Sequence, residues 1–293
     1  MTETPPCSAG VDAPGPAPRY AAYFAPAFDS PWWHAGSHWL GRCAVRGRVL
    51  AQPAVPGLAP AEVHRLTVAP RRYGWHATLR APFALAPGVD LAALRARLRK
   101  VCRSQQPFEL PDLKVVLLDD FLALAPRADS GDERANGGLA AIDAIARACV
   151  TGLHDLAAPP TPAESQRRRA GSLSAEEDAL MLRWGYPYVM ECFRFHFSLT
   201  GLLHGVAPAR VQTLKAAAES CFAALPVCRF QSVALFAEPA AGAAAFDRAV
   251  DEVAAAAGRL IASLVTSAEP RDRETEAMKA KARSSERFGL QER

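Results

Sequence analysis

Apolar and polar residues alternate strictly in two stretches of the chain, Gly74-Trp75-His76-Ala77-Thr78-Leu79-Arg80 and Arg194-Phe195-His196-Phe197-Ser198-Leu199-Thr200. A strand has a side-chain period of two. The first stretch therefore places His76, Thr78 and Arg80 on one face and Trp75, Ala77 and Leu79 on the other. The second sends His196, Ser198 and Thr200 one way and Phe195, Phe197 and Leu199 the other. The apolar faces require burial, so each strand presents a histidine and a hydroxyl on its polar side. A helix would scatter these side chains around a cylinder and leave the alternation unexplained.

The surroundings of the two strands run in parallel. After His76 come Pro87 and Gly88, then Leu91, Leu94, Leu98 and Val101 at helical spacing behind an Asp90 cap, then strands over 114–118 and 121–125 that stop at Pro126. After His196 come Pro208, a helical pattern through Val211, Leu214, Ala218 and Phe222, and a strand over 228–236 before Pro239. The endings match, FLALAP at 121–126 against ALFAEP at 234–239. An opening strand over 20–25 and a long helix over 139–156 complete the plan. These elements predict an α+β fold of two duplicated lobes, each a small antiparallel sheet with helices packed outside, related by a pseudo-two-fold about a central cleft. The expected divisions are an N-terminal disordered extension (1–18), a first lobe (19–130), a second lobe (131–265) and a charged C-terminal tail (266–293). A turn-rich linker is expected within 127–138, where Gly, Asp and Asn cluster.

Composition narrows the setting. Half of the 293 residues are apolar, enough for a substantial core, yet no apolar run approaches the ~20 residues of a membrane span. The opening residues lack the basic patch and apolar stretch of a secretory signal, and the seven cysteines, Cys7 among them, show no metal-finger spacing. The expectation is a cytoplasmic protein with reduced cysteines. A net charge of +4 is too small and too dispersed for a binder of long nucleic acid. Arg167-Arg168-Arg169, between prolines and a glycine, reads as a solvated loop or an anion-attracting lid. Oligomeric state is not legible.

Two imidazoles with flanking hydroxyls suit a reaction that needs one group to remove a proton and another to supply one. Thr78 and Ser198 would donate hydrogen bonds to phosphoryl oxygens, and Arg80 would add a charged contact. The concrete form is the opening of a cyclic phosphodiester by water, with no metal and no cofactor. Tyr23, Tyr73 and Thr200 are candidate substrate contacts, Tyr73 only if the chain bends before Gly74. Tyr186 and Tyr188 either close over a ligand or are packed. Trp32, Trp33 and Trp39 read as core anchors rather than a base-stacking platform. His34 and His38, four apart, lack the third ligand of a metal site.

The paired His-x-Thr and His-x-Ser motifs resemble those of the 2H phosphoesterase superfamily. The segments RYAAYFAPAFDSPWW, PRRYGWHATLRAPF, RWGYPYVMECFRFHFSLTG and ALFAEP are similar to its branch encoded in bacterial phosphonate-utilisation operons, over about residues 19–240. The resemblance implies a bilobal fold, a metal-independent site on His76, Thr78, His196 and Ser198, and a small phosphorylated substrate, a sugar or nucleotide. Two alternatives stay open: a non-catalytic binder of a phosphate metabolite or nucleotide, and an RNA-end-processing 2',3'-cyclic phosphodiesterase.

Overall fold

The computed structural model describes residues 18–127, 132–169 and 173–238. The expected N-terminal extension up to residue 17, the end of the second lobe from 239 and the charged tail lie outside the described residues. Everything described belongs to one compact unit.

The described residues open with β1 (Arg19–Phe24), α1 (Pro31–Leu40), a small ribbon of β2 (Arg42–Cys43) and β3 (Arg48–Val49), α2 (Pro60–Leu66) and α3 (Val68–Arg71). There follow β4 (Ala77–Ala84), α4 (Leu91–Arg103), β5 (Phe108–Glu109), β6 (Leu113–Leu118), β7 (Phe121–Pro126) and α5 (Glu133–Gly152). The last part holds α6 (Pro162–Arg169), α7 (Ala175–Trp184), β8 (Phe197–Ser198), α8 (Pro208–Phe222), β9 (Arg229–Phe230) and β10 (Ala234–Glu238).

Among the described residues six strands form one antiparallel sheet in the order β10-β1-β4-β8-β7-β6. The two lobe sheets expected from the sequence are thus a single sheet in an α+β fold, with three strands on either side of a seam where β4 meets β8. The cause lies in the apolar faces of the two alternating stretches. Trp75, Ala77 and Leu79 join Phe195, Phe197 and Leu199 in the same core as Trp39 of α1, Leu94 of α4, Ile142 of α5 and Phe222 of α8. Two strands that bury matching faces in one core gain by lying side by side.

Helix starts follow their caps. Asp90 accepts from Ala93 N at 2.7 Å and starts α4 where the sequence placed it. Asp132 accepts from Ala135 N at 3.0 Å and starts α5 six residues ahead of the expected position. The turn-rich linker is therefore partly helix. Gly138, inside it, is packed so closely on Pro111 that a Cβ would lie 2.9 Å from the ring, so the glycine serves close approach, not a turn. The Arg167–Arg169 run is likewise helical, the end of α6, whose first turn is fixed by reciprocal bonds between Thr161 and Glu164. The strand expected over 228–236 is two pieces, β9 against β5 and β10 at the sheet edge.

Trp32 donates to Pro226 O at 2.7 Å and Trp39 to Leu199 O at 2.9 Å, which confirms both as core anchors with satisfied N–H groups. The six described cysteines are free. Among the described residues no helix is long and apolar enough to cross a membrane.

Candidate active site

The site is built on the seam. Ala77 of β4 faces Phe197 of β8; one step out in each direction, antiparallel register sets His76 across from Ser198 and Thr78 across from His196. Directly opposed residues have Cβ atoms about 5 Å apart and diagonal ones roughly 7–8 Å. Each histidine is thus in register with the other strand's hydroxyl residue, and the two imidazoles are diagonal neighbours, near enough for His196 to bear electrostatically on His76. Their shared face is enforced from behind: Trp75 is 1% exposed and stacks on Phe197 at 4.7 Å and on Phe222 at 5.4 Å. With Trp75 held there, His76 has no choice of face.

Both imidazoles are oriented by the same device. His76 Nδ1 lies 3.0 Å from the carbonyl of Gly74, and His196 Nδ1 lies 2.8 Å from that of Arg194, two residues back in each case. A carbonyl only accepts, so Nδ1 carries the proton and Nε2 is the unprotonated nitrogen in both neutral rings. Thr78 and Ser198 are half-buried, and among the described residues neither hydroxyl has a protein hydrogen-bond partner.

Aromatic rings wall in the pair. Tyr23 stacks on His76 with centroids 3.9 Å apart and planes 19° from parallel. Phe236 stands 5.9 Å from the same imidazole, and Phe121 stands 5.4 Å from His196. Gly74, at φ +79°, makes the bend that brings Tyr73 edge-on to His76 at 6.5 Å. The two phenylalanines escaped sequence reasoning; their strand parity relative to Tyr23 and Ser198 was the available signal. Burial among these rings lowers the His76 pKa to about 4, against a smaller upward pull from the Gly74 carbonyl, with His196 adding a further lowering. His196 is lowered too, chiefly by burial. Burial pushes the Tyr23 hydroxyl well above the phenol range.

Two expected contacts have other occupations. Arg80 is 5% exposed and donates to the carbonyls of Cys149 and Val150 at the C-terminal end of α5. It caps orphan carbonyls there, with its pKa lowered to about 10 by burial. Thr200 is 2% exposed, and its hydroxyl accepts from Leu122 N at 2.9 Å. The alternation ends at Ser198 because the chain beyond it is bound to β7 in this irregular way. Among the described residues no group of three His, Cys, Asp or Glu side chains converges as metal ligands would; His38 is instead 3.1 Å from Ala51 O.

A family model described as "Protein of unknown function (DUF1045)" matches residues 78–246, a segment that holds Thr78, His196 and Ser198 and begins just after His76. Ribose 1,5-bisphosphate phosphokinase PhnN of Janthinobacterium sp. (strain Marseille) is 42% identical over 207 residues, 70% of this chain and 44% of that protein. The protein of the same name from Laribacter hongkongensis (strain HLHK9) is 42% identical over 228 residues, 77% of this chain and 50% of that protein. The chain spans about half the length of these curated relatives. No solved structure matches.

Proposed function

We propose that this chain, which belongs to the DUF1045 family, is a phosphoesterase that opens a cyclic phosphodiester of a small phosphorylated sugar by two-histidine acid-base catalysis. The observation that carries this reading is the duplicated presentation: two Nε2 atoms, each fixed by an Nδ1 bond to the carbonyl two residues back, each across a strand from the other's hydroxyl. Water attacks phosphorus while one neutral imidazole takes its proton. The P–O bond to the ring oxygen breaks, and the other imidazole, protonated, gives its proton to that alkoxide. Thr78 and Ser198 donate to the phosphoryl oxygens as charge builds. Burial leaves both imidazoles neutral at pH 7 in the free protein, and an arriving phosphate anion raises the pKa of the one that must act as acid.

The 2H phosphoesterase resemblance and its link to phosphonate use agree with this chemistry. So does the seam of two equivalent strands, which supports an origin by internal duplication. The relatives' name directs the substrate class toward a phosphorylated ribose, while their kinase chemistry does not transfer: none of this chain's lysines follows a glycine, so it lacks the G-x-x-x-x-G-K-[ST] loop that cradles nucleotide phosphates.

The test is a screen of cyclic phosphates, in excess chelator, with wild type and the His76→Ala and His196→Ala variants. Each variant is expected to lose on the order of 10²-fold or more in kcat, and Thr78→Val and Ser198→Ala to lose less. Hydroxyl variants that lose turnover while both histidine variants keep it would overturn the mechanism.

A further inference from the structure

Further along β4 from His76, from Arg80 onward, lies a cavity of about 330 Å³, within the size range of small-molecule sites. We propose that it binds the second, non-reacting phosphoryl group of a phosphorylated sugar, whose ring lies against Trp184. This inference deepens the phosphoesterase reading and rests on it for the position of the reacting phosphate.

The cavity continues the site along β4. Arg80, in its lining, follows Thr78 by two residues, a rise of about 7 Å. Tyr186, also in the lining, adds electrostatically to the rise that burial gives the Tyr23 hydroxyl, and Tyr23 is the ring stacked on His76. A ligand with one phosphate between the imidazoles therefore has its other end directed here.

The wall is chosen for an anion on a ring. Four basic groups stand in it, each laid on an aromatic side chain: Arg80 over Phe83 at 4.2 Å, Arg168 over Tyr186 at 5.3 Å, Arg183 over Trp184 at 4.8 Å, and His154 edge-on to Trp184 at 4.8 Å. The two carboxylates of the wall have partners of their own, Asp155 in Arg97 at 2.8 Å and Glu164 in Arg19 at 3.4 Å and the Thr161 amide at 2.9 Å. Helix-end carbonyls that would repel an anion are also occupied. Arg80 holds those of Cys149 and Val150, Arg97 that of Gly152 at 3.1 Å, and Arg168 that of Gly185. Three arginines face two carboxylates in the wall, and the His154 pKa is lowered by burial and by Arg80 and Arg183, against an upward pull from Asp155. Arg183 is exposed and makes no ion pair among the described residues, so its guanidinium is available for a charge-assisted bond. The Trp184 face beside it offers an apolar plane to the C–H side of a sugar.

The experiment uses the full chain and three probes: ribose 5-phosphate, ribose and inorganic phosphate, titrated calorimetrically. The His76→Ala, His196→Ala double variant is expected to bind ribose 5-phosphate as wild type does. Arg183→Ala, an exposed change with wild-type folding by circular dichroism, is expected to weaken it tenfold or more, Arg183→Lys by less, and ribose is expected to bind no variant. Trp184→Leu is expected to weaken ribose 5-phosphate more than inorganic phosphate. Equal binding by wild type and Arg183→Ala, or binding abolished by the double histidine variant, would overturn the inference. Failure of every cyclic phosphate to turn over, with Arg183-dependent binding intact, would overturn the phosphoesterase mechanism instead.

Discussion

Gly36, on α1, sits directly behind the residue that sets the facing of His76. A Cβ built there would lie 2.0, 2.2 and 2.3 Å from three ring atoms of Trp75. Carbon atoms pack at about 3.5–4.0 Å, so the indole would have to withdraw by roughly 1.5 Å. It has nowhere to go, since Phe197 and Phe222 stack on it within 15° and 12° of parallel. Overlap this deep puts the cost at about 3 kcal/mol, the upper end for overpacking, while alanine gains only about 1 kcal/mol over glycine in a helix interior. We expect Gly36→Ala to be destabilised by about 2 kcal/mol net. Gly137→Ala is the control: it is also inside a helix, but its Cβ would meet nothing within 4 Å, so it should gain about 0.5–1 kcal/mol. Urea unfolding with the slope held common reads both, and with a slope of about 2 kcal/mol per molar the two midpoints should lie more than ~1 M apart. A Gly36→Ala midpoint at or above wild type would refute the claim that Trp75 is wedged.

Three further expectations concern charge. With both imidazoles held below the ordinary histidine value of 6.5 in the free protein, the singly protonated pair is scarce above that pH; kcat/KM should fall toward alkaline pH with unit slope while kcat holds to higher pH, and a kcat/KM maximum above pH 8 would contradict this. The depressed His76 pKa means that the unfolded chain binds the proton more readily, so a contribution of roughly 2–3 kcal/mol present above pH 6.5 is lost as pH falls toward about 4; His76→Gln should therefore lose less stability than wild type between pH 7 and 4.5, and an unchanged difference would count against a buried neutral imidazole. Arg80→Met should cost about 1–3 kcal/mol by leaving the α5 carbonyls unpaired, whereas loss of activity at undiminished stability would mark Arg80 as a ligand of the substrate.

The alternating stretches were legible in the sequence because both consequences of parity, full burial of Phe195, Phe197 and Leu199 and only partial burial of His196 and Ser198, are local. Asp90 likewise announces α4 within four residues. Arg80 was read for the cleft because parity alone does not show a helix end arriving over it from sixty-nine residues away. Thr200 failed for the same reason, its partner being the amide of Leu122. The direct pairing of β4 with β8, the cavity and its arginines depend on contacts between distant segments, which no local period records.

The single bridge at Ala77 and Phe197 makes the site a matter of odd and even. Loops elsewhere in such a chain are free to lengthen or shorten in the course of descent, because they only carry the backbone between elements. Between the carbonyl of Arg194 and the hydroxyl of Ser198, one residue gained or lost would turn His196 into the core and Phe197 out to the cleft, and the loss would be complete in a single step. Insertions and deletions are therefore expected to be absent from this stretch and from Gly74 to Thr78 in any relative that keeps the activity, however far the remaining sequence has diverged.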